Sequence, residues 1–294
     1  MIDRGKLRIL LLICMSLSYR IFALASTPIA PPNLSKSTKI APAYFGPNAF
    51  QVPDMLDGRT SAHMRISVAA DYYSGTLTHR GGDITAGMSC KCIIPLFSSR
   101  VNFVAWMPVA EYYYANEEVN TIRRVPYVGA LSGWDSGDVY LSTDIQLFTQ
   151  KLHGADMVVR AALKSASANT YAKARYYDAP GYFFDAAIGR DISLYNNSKV
   201  RIAASSGFLC WQTDVGRQND AVMYGLQAAW QCGKLHISTT WSGYKGWEGD
   251  GDRPMIAKAL LSYTLKSLSI EAYYKKGIKD WPFRQMSIGA TYTF

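Results

Sequence analysis

The sequence predicts an all-β protein: a transmembrane antiparallel up-and-down β-barrel of about twelve strands. Three observations carry that expectation. The last nine residues alternate strictly, with apolar Met286, Ile288, Ala290, Tyr292 and Phe294 set between small or polar Ser287, Gly289, Thr291 and Thr293. A strand reads this way when one face meets an apolar medium and the other a polar one. Comparable alternating segments of roughly ten residues recur back to residue 62, the length a tilted membrane-crossing strand needs. Composition agrees: charged residues are 18% of the 294, below the roughly 25% of soluble domains, while aromatics reach 13% with 20 Tyr.

Residues 1–25 read as a secretory signal peptide. Arg4, Lys6 and Arg8 precede an apolar run over 9–17, and Ala23-Leu24-Ala25 fits the small-x-small cleavage rule. Cys14 is not a lipid-attachment site, because Ile13 rather than a small residue precedes it. No later stretch approaches the roughly 18–20 uninterrupted apolar residues of a membrane helix. An exported chain without such a helix spans a membrane only as a closed barrel.

Residues 26–61 contain Pro28, Pro31, Pro32, Pro42, Pro47 and Pro53 and little alternation. Two readings stand: an extended periplasmic leader, or a partial plug that folds into the barrel mouth on Tyr44, Phe45 and Phe50. The barrel occupies 62–294. Its strands are expected at 62–73, 84–96, 101–113, 138–149, 157–164, 182–192, 200–211, 221–232, 235–242, 255–265, 268–276 and 285–294.

The connections test that assignment independently, since such barrels have short periplasmic turns and longer extracellular loops. Every second connection, at 97–100, 150–156, 193–199, 233–234 and 266–267, runs from two to seven residues. The opposite set, at 74–83, 114–137, 165–181, 212–220, 243–254 and 277–284, runs from eight to twenty-four. Aromatics fall where two interfacial girdles need them. Tyr72, Tyr112, Tyr182, Trp211, Tyr224, Trp241 and Tyr274 mark the outer ends, and Phe97, Trp230, Tyr263, Tyr292 and Phe294 the inner ones.

A final alternating strand closing on an aromatic resembles the terminal strand of bacterial outer-membrane β-barrel proteins, the porin-like ones included. The resemblance implies residence in the outer membrane and contact with outer-membrane lipid and lipopolysaccharide. It also implies that Tyr292 and Phe294 serve as the signal read by the barrel-assembly machinery.

The small-polar phase points inward, and residues such as Ser67, Ser89, Ser205, Gly207 and Gly225 leave room there for water. On that phase the lumen holds Arg65, Lys91, Arg160, Lys164, Arg201, Lys258 and Lys275 against Asp71, Asp144, Asp185 and Glu271. One reading is a basic ladder in a small passive channel for small, anionic solutes, with Arg65, Lys91, Arg160, Lys164, Arg201 and Lys258 shaping selectivity. The other is that opposite charges pair and fill the lumen, Arg160 with Asp144 and Arg201 with Asp185. A closed barrel acting as a binding or assembly platform in the outer membrane is the alternative function. Twelve strands lie between side-chain-filled and open barrels, so size does not choose.

The remaining chemistry is sparse. Removing residues 1–25 takes away four positive charges and one negative, bringing +9 to +6. The basic residues are scattered rather than clustered, which argues against nucleic acid and for anionic solutes or lipopolysaccharide phosphates. Cys90 and Cys92, on the lipid face, have a poor disulfide geometry two apart on one strand and read as apolar filler. His236 and Ser238 resemble the His-x-Ser of the outer-membrane phospholipase family, whose pair faces lipid. Here they point inward, and no Asn stands on an adjacent strand to support the His. A lipid hydrolase is therefore a third reading. His63, His79 and His153 are too dispersed for a metal site, and no cofactor is indicated. Trp134 and Trp247, each between a Gly and a carboxylate, mark predicted outer loops; Glu248, Asp250 and Asp252 lack full Ca²⁺-loop spacing.

Overall fold

Alternation, short turns and aromatic strand ends fold into one closed sheet. The computed structural model describes residues 41–294 apart from 79–80, 126, 169–172, 178–179, 195–197 and 215–216. The signal peptide, residues 26–40 and His79 lie outside the described residues.

The strands are β1 (Arg65–Gly75), β2 (Asp83–Pro95), β3 (Val101–Ala115), β4 (Leu131–Asp135), β5 (Tyr140–Phe148), β6 (Asp156–Lys164) and β7 (Gly181–Ser193). They continue as β8 (Ser198–Asp214), β9 (Arg217–Cys232), β10 (Leu235–Gly246), β11 (Met255–Leu265), β12 (Leu268–Lys279) and β13 (Phe283–Thr293). All neighbours are antiparallel, and β1 pairs with β13 from Arg65↔Thr293 to Gly75↔Phe283, which closes the barrel.

Thirteen strands make a twelve-strand wall because β4 and β5 share one place. The upper part of β3 pairs with β4 and its lower part with β5. The single strand expected over 138–149 is thus preceded by a second piece inside the expected loop 114–137. Pro108 supplies the reason: it has no N–H for the ladder. At this level β3 carries a bulge, with Val109 left over between Pro108, opposite Ser89, and Ala110, opposite Met88, and the neighbouring chain leaves the sheet, with Gly137 N–H donating to Pro108 O at 2.8 Å.

Two ends of unlike character result. The turns at 96–100, 149–155, 233–234 and 266–267 gather at one end; a short helix, α2 (Gln150–His153), sits in the second. The opposite end carries helix α1 (Glu117–Ile122) and the described residues of 116–139 and 165–180. The α1 helix is capped by Asn116, whose Oδ1 accepts from Val119 N–H at 2.9 Å. The clean length difference expected between the two sets fails because β8, β9, β12 and β13 continue past the girdle with polar side chains such as Gln212, Gln218, Lys276 and Arg284.

The outward face is a membrane surface. Leu163, Phe184, Ile202, Leu226, Met286 and Ile288 stay exposed on it, with no polar partner that water would demand. Tyr72, Tyr112, Tyr182, Trp241 and Tyr274 mark one edge of this band and Phe97, Trp230, Tyr263, Tyr292 and Phe294 the other. Trp211 does not join the girdle. It is 1% exposed and packs inside on Tyr140 and Phe183, as its parity with Arg201 requires. Cys90 and Cys92 face outward opposite Val68 and Ile66 and form no disulfide. Among the described residues no helix is long and apolar enough to cross a membrane; the barrel crosses with strands.

Candidate functional site

The interior is not left to water. Residues 41–61 run through the barrel from the long-loop end to the short-turn end, where the chain enters β1. Gly46 N–H donates to Ala174 O at 2.9 Å, in the 165–180 loop. At the other end Ser61 N–H donates to Asn102 Oδ1 at 2.6 Å, and Asn102 Nδ2 returns a bond to Ser61 O at 2.9 Å.

An extended, proline-bearing segment has carbonyls to satisfy and few partners of its own. The wall supplies donors along its length. Trp281 Nε1 reaches Pro47 O at 3.1 Å, and Tyr244 Oη reaches Phe50 O at 3.3 Å. Arg160 Nη2 donates to Asp54 O at 3.0 Å. Arg201 donates twice to Asp57 O, at 2.9 and 2.7 Å, and Gln146 Nε2 to Gly58 O at 2.8 Å. Two of the expected ladder residues are therefore carbonyl clamps.

The glycines follow the same logic. A Cβ at Gly189 would lie 2.3 Å from Asp57 O, and one at Gly225 would lie 2.8 Å from Met55 Sδ. Gly58 itself takes φ +91°, open to glycine. The inward small residues were expected to make room for water; at Gly189 and Gly225 they make room for this segment.

At the long-loop end the lumen is an apolar core. Phe45, Ala49, Phe50 and Val52 of the segment pack with Tyr140, Phe183, Trp211, Tyr244, Trp281 and Phe283 of the wall. Phe45 meets Phe50 edge-on at 5.5 Å. Behind it Glu111, 1% exposed, gathers Arg175 Nη2 at 2.7 Å, Tyr176 Oη at 2.9 Å and Asn48 Nδ2 at 2.9 Å. One buried carboxylate thus ties wall, loop and segment together.

The charged lumen residues fall into two groups. Arg160, Lys164 and Arg201 are buried in ion pairs. Arg160 takes Asp185, its register partner on β7, in a two-pronged contact at 2.7 and 2.9 Å. It also faces Asp144 across β5, but that carboxylate accepts from Ser142 instead. Arg201 binds Asp156 at 2.9 Å and Asp191 at 2.8 Å, not the expected Asp185, because Asp191 is its register partner and Asp156 lies diagonally across, opposite Gly189. Lys164 pairs with Asp138 at 2.6 Å. Burial pushes the Asp138 carboxyl up from its ordinary range, against the pull of Lys164 and the amides of Ala168 and Ser167.

The second group remains half-exposed inside the barrel: Arg65, Lys91, Lys258 and Lys275 on the wall, with Glu271. Asp54 projects among them with its side chain 60% exposed, and its Oδ1 lies 3.1 Å from Lys258 Nζ. These residues line one side of the lumen, a vestibule on β1, β2, β11 and β12.

Other candidates are placed plainly. His236 is half-buried and Ser238 buried, both on the inward face. Asp252 is buried and accepts from the amides of Glu248 at 2.7 Å and Gly249 at 3.1 Å, shaping that loop. Among the described residues no group of three or more potential ligands gathers for a metal. Sequence reasoning missed Asn102, Glu111, Gln146 and Tyr244, whose only signal was a polar or aromatic residue on an inward phase, and Asn48, Arg175 and Trp281, which lie off the strands and gave none.

No family model matches the chain, and no curated protein matches it in sequence. Solved structures do match in shape. An outer-membrane channel from Pseudomonas putida F1 superposes with a TM-score of 0.55 at 8% identity, covering 82% of this chain and 100% of that one. The fold is that of outer-membrane β-barrels. The NanC porin (TM-score 0.49, 11% identity, 78% of this chain and 100% of that one) and the KdgM porin (0.47, 9%, 78% and 99%) are also among the matches. In such barrels short turns face the periplasm and long loops the exterior, which orients this one.

Proposed function

We propose that the chain is a porin-like passive channel of the bacterial outer membrane for small anionic solutes, in which residues 41–61 set how far the lumen opens. The observation that supports this reading is the charge of the half-exposed part of the lumen. There Arg65, Lys91, Lys258 and Lys275 outnumber Asp54 and Glu271. Charges in a narrow, partly low-dielectric passage act strongly on ions. The ion-paired Arg160, Lys164 and Arg201 contribute shape and clamping, and the selectivity role passes to the half-exposed group.

Reconstitution into planar bilayers tests the proposal. Anion-selective conductance is expected, increased when the segment is loosened. No conductance from either the full chain or a loosened variant, or a cation-selective reversal potential, would remove the channel reading.

The core that fills the exterior mouth favours a second reading, a closed barrel that serves as a binding or assembly platform. Trp134 and Trp247, well exposed at the long-loop end, would then be contact residues. A sealed pore together with a co-purifying outer-membrane partner is its signature. We assign no catalytic role to His236 and Ser238, since both face the lumen, away from the lipid a hydrolase would take. Tyr292 and Phe294 stay exposed at the periplasmic rim, 4.9 Å apart by ring centroid. Their proposed reading by the assembly machinery is checked by Phe294→Ala, which should accumulate unassembled chain in the periplasm.

A further inference from the structure

Lys258 of β11 and Lys275 of β12 are register partners on the inward face. Like charges directly opposite on a sheet oppose folding, so this placement calls for compensation. Part of it is aromatic: Lys258 Nζ lies 4.3 Å from the centre of the Tyr273 ring, and Lys275 Nζ 4.8 Å from that of Trp281. Lys91 of β2 acts on the same space.

The rest of the compensation is anionic. Asp71 and Asp144 act on Lys275 and Lys91 from the wall, but they are fixed there by hydrogen bonds, Asp71 by Ser89, Tyr273 and Gln285, and Asp144 by Ser142. The acid that enters the lysine space is Asp54, which belongs to the segment rather than to the wall. Its carboxylate is 60% exposed, whereas its carbonyl is held separately by Arg160. The side chain can therefore swing away without freeing the backbone.

We propose that Lys91, Lys258 and Lys275 form a binding site for a small carboxylate, and that Asp54 is its built-in occupant, displaced when a solute carboxylate enters. The proposal rests on the channel reading for its purpose, since a solute must reach the vestibule. Binding itself needs no conductance. A tethered competitor acts at a millimolar-scale effective concentration and weakens the apparent affinity of a free ligand accordingly.

The test is calorimetric titration of malonate, at fixed ionic strength, into the folded full-length protein in detergent. D54N should bind malonate at least ten-fold more tightly than the wild type, and D54N/K258Q at least ten-fold more weakly than D54N. Equal affinities for wild type and D54N, or for D54N with and without K258Q, would overturn the proposal. Folding is checked by the gel shift that intact barrels show before heating, and D54S is held to the same criterion should D54N fail it. Bilayer recordings on the same preparations separate the two claims. Malonate binding with the expected pattern but no conductance overturns the channel alone, and conductance without that pattern overturns the lysine site alone.

Discussion

Phe50→Ala is the sharpest perturbation of the segment. Phe50 is 7% exposed, lies 5.5 Å from Phe45 and 5.8 Å from Tyr177 by ring centroid, and belongs to the mouth core. Truncating a buried Phe costs about 3–5 kcal/mol. The wall keeps every ladder hydrogen bond, so the loss falls on docking of the segment rather than on the barrel. At about 1.4 kcal/mol per decade, the ratio of docked to released segment falls by roughly two to three and a half decades. Open probability in planar bilayers should rise by a comparable factor, and protease should cut within 41–61 faster. The gel shift on heating serves as the control for an intact wall. Folded F50A with unchanged conductance and unchanged cleavage would refute the claim that apolar docking closes the mouth.

Three further outcomes follow from other contacts. Gly189→Ala sets a Cβ 2.3 Å from Asp57 O; the backbone there must move off Arg201, and cleavage near residue 57 should quicken while the barrel still folds. Lys164→Met leaves Asp138 buried without its ammonium, and breaking such a pair costs about 3–5 kcal/mol, read as a lower unfolding temperature. Asp138 already has a raised pKa, so the folded state binds the proton more readily. The K164M penalty should therefore shrink as pH falls toward that pKa and return as pH rises; a penalty independent of pH would show that the loss is packing alone. Ile288→Arg, on the exposed lipid face midway along β13, should cost about 2–4 kcal/mol of membrane insertion, as measured by refolding into bilayers; no loss would contradict the assigned face.

The wall was legible in the sequence because its signal is a contrast between two faces. Ile288 beside Gly289, or Phe184 beside Asp185, reports a side whatever the neighbours are. The signal weakens where both faces are apolar. Tyr113, Phe183, Trp211 and Phe283 point into a core that no local pattern announces, and the aromatic at a strand end made Trp211 look like a girdle residue despite its parity. Ion-pair types were readable but partners were not. Arg201 has candidate acids on both sides, and only register puts Asp191 opposite it. The course of residues 41–61 depends on contacts between Asn48 and Glu111, or Pro47 and Trp281, far apart in sequence. Its prolines and aromatics raised the question without answering it.

The apolar docking of the segment also has a thermal consequence. Releasing Phe45, Ala49, Phe50 and Val52 from their core exposes apolar surface to water, and such exposure raises heat capacity. The free energy of closure is then a dome in temperature rather than a slope. Its drive fades on cooling as well as on heating. The lipid-facing residues stay in the same apolar medium throughout, so this curvature belongs to the mouth and not to the wall. A barrel closed in this way leaks at both ends of its temperature range while remaining fully folded.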